Sequence, residues 1–281
     1  MSGILVCTDG SHYGQVACRY AASLAVKSKL PVTALYVTDL RLFEVPAVAD
    51  LSGSLGIQPF EGMIQQLQEV ESIKAKFVEE QVMTVFAEAG VEAKFEFVHE
   101  TGLLVDVVCD LAKRHHFVVL GKRGENADFD KEHLGSMLER IVRASKIPCF
   151  VTNRSFTEID QIAIAYDGGA SCLKAVDFFC QQTGFHGARF HVLSCVEGHD
   201  EETASQRLTE VEARFDSVGI AASYQMLSGV VESAIVDYIE TSKIQMLALG
   251  AYGHSRIREL LIGSTTTELI RRCHVPVFCF R

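Results

Sequence analysis

Apolar residues along this chain fall into short continuous runs, separated by longer segments in which they recur every three or four positions. Ile4–Thr8, Val32–Val37, Val91–Val98, Phe117–Gly121 and Ile147–Val151 read as strands in the first half. Between the first two, Val16, Tyr20 and Leu24 lie at i, i+4 and i+8, the spacing of one helix face. A long helix is expected from about Gln65 to Ala89, with Ile73 and Phe77 on one face and Val82 and Phe86 after them. Others are expected from Leu103 to Lys113 and from Gly135 to Ala144. Buried strands alternating with helices predict an α/β fold, a parallel sheet covered on both faces.

The pattern then repeats. Ile4-Leu5-Val6-Cys7-Thr8-Asp9-Gly10-Ser11 returns as Ile162-Ala163-Ile164-Ala165-Tyr166-Asp167-Gly168-Gly169. Gly102, Gly121, Gly135 and Pro148 return as Gly229, Gly250, Gly263 and Pro276. Further strands are expected near Ile162, Phe190, Ala221, Met246 and Val275. The second offset is shorter than the first by 31 residues, which places an insertion in the first copy at Leu40 to about Glu69, a stretch rich in Gly, Pro and Ser. The expected domains are residues 1–152 and 157–281, with Asn153–Glu158 as the natural linker.

The 281 residues carry a net charge of −10, and each half carries −5. No basic face is left for a phosphate backbone, so nucleic acid is not an expected partner. Nine cysteines occur without a C-x-x-C pair, mostly inside apolar runs, where free cysteine behaves as a small hydrophobe. No apolar stretch approaches the length of a membrane span. With a strand-like run beginning at Ile4 and leaving no room for a leader, the expectation is a cytoplasmic, reducing location.

The chemistry concentrates at strand ends, where open parallel sheets bind ligands. Ala165, Tyr166 and Asp167 end one strand; Leu249 and Gly250 end another, and the chain continues through Gly253 and His254 to Gly263-Ser264-Thr265-Thr266. Glycines let backbone amides approach phosphate oxygens, and a helix opening at Gly263 would offer its first amides and three hydroxyls to an anion. An ordinary strand-to-helix connection with a serine cap reads equally well from these features alone.

Gly250-x2-Gly253-x9-Gly263-Ser264 resembles the nucleotide-binding signature of ATP-binding universal stress proteins, G-x2-G-x9-G-[ST]. The strand ends at Asp9-Gly10-Ser11 and Asp167-Gly168-Gly169, and the closing run from Gly263-Ser264 to Pro276-Val277, resemble the same family's other landmarks. The resemblance covers the whole chain twice, as in a tandem universal stress protein. It implies two Rossmann-like (adenine nucleotide alpha hydrolase-like) domains, each a five-stranded parallel sheet of order 3-2-1-4-5 with helices on both faces. It further implies ATP or another adenine nucleotide in the second domain, with Mg or Mn. Asp167 would meet the ribose and adenine side, Cys195 would line the adenine pocket, and Gly250, Gly253, Gly263 and Ser264 would hold the phosphates. Last strands pair between units in this family, which implies an intrachain pseudo-dimer and allows a further homodimer.

The first copy departs from the signature. Its corresponding residues are Asp9, Val37, Gly121, Gly124, Gly135 and Ser136, but ten residues separate Gly124 from Gly135. Those ten carry Glu125, Asp128, Asp130 and Glu132 against Lys131, so like charges oppose a triphosphate and this site is expected to bind ATP weakly or not at all. His99, His115, His116 and His133 form a weaker candidate metal group. No Walker A or G-x-S-x-G motif is present. The reading that leads is a nucleotide-binding regulatory protein of the stress response, catalytic at most through weak ATP hydrolysis. The alternatives are a slow ATPase or ATP-dependent ligand-modifying enzyme, and a small-molecule binder using the first domain with residues 40–69 as a lid.

Overall fold

The computed structural model describes residues 3–42, 61–91, 95–124, 136–185, 187–196, 201–251 and 263–281. The first half runs β1 (Ile4–Cys7), α1 (His12–Ser28), β2 (Val32–Asp39), α2 (Glu61–Glu88), β3 (Phe95–Gly102), α3 (Leu104–Ala112), β4 (Phe117–Gly121), α4 (Ser136–Ala144) and β5 (Cys149–Thr152). The second runs β6 (Gln161–Ala165), α5 (Ala170–Gln181), β7 (Arg189–Val196), α6 (Glu201–Ser217), β8 (Ala222–Ser228), α7 (Val231–Thr241), β9 (Met246–Gly250), α8 (Ser264–Arg272) and β10 (Val277–Phe280).

All ten strands form one sheet, ordered β3-β2-β1-β4-β5-β10-β9-β6-β7-β8. Each half contributes an all-parallel 3-2-1-4-5 set, and the halves meet where β5 and β10 pair antiparallel, with Phe150 opposite Phe278. The expected pairing of last strands is therefore present within the chain. Alternate strand residues feed two cores. Ile4, Val6, Ile162 and Ile164 pack under α1, α2, α5 and α6. Leu5, Leu35, Ala163 and Leu193 pack under α3, α4, α7 and α8. At the seam, Phe278 lies 5.2–5.4 Å from Phe117, Phe150 and Phe178, mostly edge to face, a favourable geometry for the rings' quadrupoles.

Two sequence expectations need correction. On α2 the buried stripe is Ala75, Val78, Val82 and Phe86, whereas Ile73 and Phe77 are 62% and 57% exposed. The helix carries two apolar stripes, and only the one facing α1 and the sheet is covered. The third strand is described from Phe95 to Gly102, and Val91 is not part of it. Gly90 takes φ 73°, Val91 N donates to Phe86 O, and Gly90 N to Ala87 O, so buried Val91 belongs to the left-handed closure of α2. The second half repeats this closure, with Gly219 at φ 72° and Ile220 N donating to Phe215 O. Of the proposed lid, 61–69 is helical and 43–60 lies outside the described residues.

Candidate functional site

The strand-end turns come first, because they set where side chains can point. After β6, Gly168 adopts φ 79° and Asp167 Oδ1 accepts from Gly169 N at 2.7 Å. After β1, Gly10 adopts φ 78° and Asp9 Oδ1 accepts from Ser11 N at 3.0 Å. Each aspartate thus closes its own turn through its side chain, as Asx turns do. A glycine supplies the positive φ that L residues rarely adopt.

In the second half, Ala165 and Cys195 pack against the core face that also holds Leu249, together with α7 and α8. Tyr166 presents its backbone, not its side chain, at the strand end. Its ring is buried on the opposite face of the sheet and its hydroxyl donates to Glu210 of α6 at 2.9 Å. Gly250 proves to be needed for packing. A Cβ there would lie 2.9 Å from Cys172 Sγ and 3.0 Å from Ser171 Cβ, so glycine lets the first turn of α5 close on β9. Cys172 Sγ donates to Ala165 O at 3.3 Å, and burial pushes this thiol up to about 12.

Gly263 sits before α8 with no side-chain cap, and Ser264 is exposed in the first turn. Thr266 is buried and donates to Gly250 O at 3.3 Å, tying α8 to the end of β9. Thr265 Oγ1 donates to Glu232 Oε1 of α7 at 2.7 Å, and this bond holds the Glu232 carboxyl below its usual range. Glu232 and Thr265 border a hollow of about 590 Å³ with Val196, Glu201 and the Ser228–Val231 turn. Gly253 and His254 lie outside the described residues.

Sequence reading missed Glu232 and the apolar residues at this mouth. Val230 is 68% exposed, and its counterpart Leu103 in the first half is 45% exposed. The signal was present, since both follow the repeated glycine pair Gly102 and Gly229.

In the first half, Asp9, Val37, Gly121 and Gly124 line one cavity of about 170 Å³ whose other walls include Leu35, Leu120 and Ile141. A Cβ on Gly121 would lie 3.1 Å from Tyr13 Cβ, and one on Gly124 would lie 2.9 Å from Asp9 Oδ2. Gly135 lies outside the described residues, and Ser136 opens α4. Four of the expected first-half residues, Asp9, Val37, Gly121 and Gly124, thus line a small, mainly apolar space.

The described candidate metal histidines, His99, His115 and His116, form no metal cluster among the described residues. His99 Nε2 bonds Thr38 Oγ1 at 2.9 Å, while His115 bonds Leu111 O and Thr33 Oγ1 at 2.8 and 3.1 Å. Among the described residues no three His, Cys, Asp or Glu side chains could hold one ion. His133 lies outside them. No described helix is long and apolar enough to cross a membrane.

Comparison with known proteins agrees with this architecture. The model of the universal stress protein family matches residues 1–153 and again 158–281. The universal stress protein Slr1230 of Synechocystis is 38% identical over 288 residues, covering 100% of both chains. The crystal structure of a universal stress protein from Archaeoglobus fulgidus superposes with a TM-score of 0.74 at 22% identity, covering 99% of this chain and 96% of that one. A protein of unknown function from Pseudomonas aeruginosa superposes at 0.63 with 14% identity, over 100% of this chain and 92% of its own. At those identities the two structures speak to the fold alone. The family match across both halves and the full-length relative go further: this chain belongs to the universal stress protein family, with one copy of the family domain in each half.

Proposed function

We propose that the protein is a regulatory adenine-nucleotide binder of the stress response, holding ATP in its second half with Mg or Mn. The observation that carries this reading is the spacing Gly250-x2-Gly253-x9-Gly263-Ser264, set on β9 and the uncapped first turn of α8. Helix N-terminal amides that the cap residue leaves unbonded favour an anion, and Ser264, Thr265 and Thr266 add hydroxyls there.

The residues fit a nucleotide carried with a divalent cation better than a bare triphosphate. Glu232 brings a carboxylate against Thr265, and like charges at close range repel unless a metal compensates. The cation would supply that compensation. Ala165, Cys195 and exposed Val230 offer apolar surface for the base. Regulation needs binding alone; hydrolysis would need a positioned water and a base. Nine free cysteines suit the reducing cytoplasm.

A second reading concerns the first half. Its cavity of about 170 Å³ is smaller than the roughly 300–1,000 Å³ of ordinary ligand sites, which favours a compact apolar ligand over ATP. Mass spectrometry of ligand released from gently purified protein, followed by calorimetric titration of MgATP, tests both readings. One mole of adenine nucleotide per chain, lost on substituting Gly263-Ser264 with Val-Val, is the expected result. Two equivalent sites, or none, would overturn it.

A further inference from the structure

Lys122, which follows β4, sends its side chain into the other half of the molecule. Its Nζ donates to Arg271 O at 2.8 Å and Cys273 O at 3.1 Å, carbonyls at the C-terminal end of α8. Asn153 Nδ2 adds a bond to His274 O at 2.6 Å just beyond. The reverse contact also exists: Arg281 Nη1 donates to Arg143 O of α4 at 2.6 Å. Each helix that opens at a strand-end site is therefore held at its far end by a side chain from the opposite half.

The last carbonyls of a helix have no partner within it, and lysine is well suited to them because its charge meets the negative end of the helix dipole. Burying an ammonium is costly unless its donors are matched. Burial does push the Lys122 amine down to about 8, and these two carbonyls are its matched acceptors. Its backbone is fixed too, with Lys122 N donating to Thr152 O of β5 at 3.1 Å. Its neighbours Gly121 and Arg123 line the first-half cavity. The repeat places Ala251, buried and too short to reach across, where Lys122 stands in the first half. The lysine contact has no counterpart at that position, and α4 is held instead by Arg281.

We infer that Lys122 is a positioning residue for the second-half nucleotide site, so that affinity there depends on the first half of the chain. Helix α8 has nine residues, about 13 Å in length. It moves as a rod, and release of its C-terminal end tilts the Ser264–Thr266 turn that faces the phosphates. The inference rests on the nucleotide reading above.

The test uses the full chain and MgATP as the probe. Titration calorimetry is run on the wild type, Lys122→Met and Lys122→Arg, alongside amide hydrogen exchange across Leu269–Cys273 without nucleotide. The expected result is a 5- to 20-fold weaker Kd for Lys122→Met, recovered to within about threefold by Lys122→Arg. Exchange at the end of α8 should rise in the Met variant and return in the Arg variant. Equal MgATP affinity in wild type and Lys122→Met overturns the inference while leaving the nucleotide reading intact. A wild type that binds no MgATP overturns that reading instead, and the exchange data then report on the cap alone. Should the Met variant fail to fold, Lys122→Gln, which keeps a shorter donor, takes its place under the same criteria.

Discussion

At the scale of single residues, the glycines of the signature divide into two kinds. Gly250, at the end of β9, is pressed against the start of α5 with no room for a methyl group, whereas among the described residues a Cβ on Gly263 would have Thr266 Oγ1 as its nearest neighbour, at 3.8 Å. Overpacking a tight site costs about 1–3 kcal/mol. Gly250→Ala is therefore expected to lower stability by about that much in urea denaturation, and Gly263→Ala by less than about 1 kcal/mol. Equal losses would show that the two positions are equally crowded. Glu232 supports a separate expectation. Its carboxylate is bonded by Thr265 in the first turn of α8, which on the proposed reading faces the phosphates. Glu232→Gln should bind ATP several-fold more tightly than wild type in EDTA, with a smaller difference in excess Mg, as calorimetry can measure. Identical affinities under both conditions would remove Glu232 from the phosphate environment. The sequence could nominate Gly250 and Thr265 by spacing, but not their neighbours, because Cys172 and Glu232 come from elements remote in the chain.

At the scale of elements, periodicity located nearly every strand and helix, and it failed where two patterns overlap. Ile73 and Phe77 share one phase on α2, while Val78, Val82 and Phe86 share another. Only packing against α1 and the sheet decides which stripe is buried, and that information is non-local. The two phenylalanines give a direct comparison, since Phe86 is fully buried and Phe77 is 57% exposed. Phe86→Ala should cost about 3–5 kcal/mol in urea denaturation, and Phe77→Ala within about 0.5 kcal/mol. A loss of more than about 1 kcal/mol at Phe77 would mean that its stripe is covered in solution. The inclusion of Val91 in β3 fails for a related reason. Val91 has strand character by composition, but the positive φ of Gly90 commits it to closing a helix.

At the scale of the whole molecule, the repeat made two domains legible, and the sheet shows what joins them: a β5–β10 seam with Cys149 opposite Cys279 and phenylalanines packed around it. This construction buries five of the nine thiols and partly buries the other four. Burial pushes Cys18, Cys149, Cys172 and Cys273 up to about 12, and raises Cys7 and Cys279 as well. The unfolded chain releases these protons near pH 9 while the folded chain retains them. The folded state therefore binds more protons above that pH, and its stability falls as pH rises. Lys122 acts in the opposite direction. Its folded amine gives up its proton near pH 8, earlier than in the unfolded chain, and so favours folding as pH climbs further. Six thiols outweigh one amine, and Tyr20, raised to about 12 by burial, joins the thiols above pH 10. Under reducing conditions the urea midpoint should be nearly flat from pH 7 to about 8.5 and then decline steadily to pH 10.5. Replacing Cys149 and Cys279 by alanine should make that decline shallower, because two of the retained protons are gone. A midpoint that holds to pH 10.5 in the wild type would show that the thiols ionise within the fold.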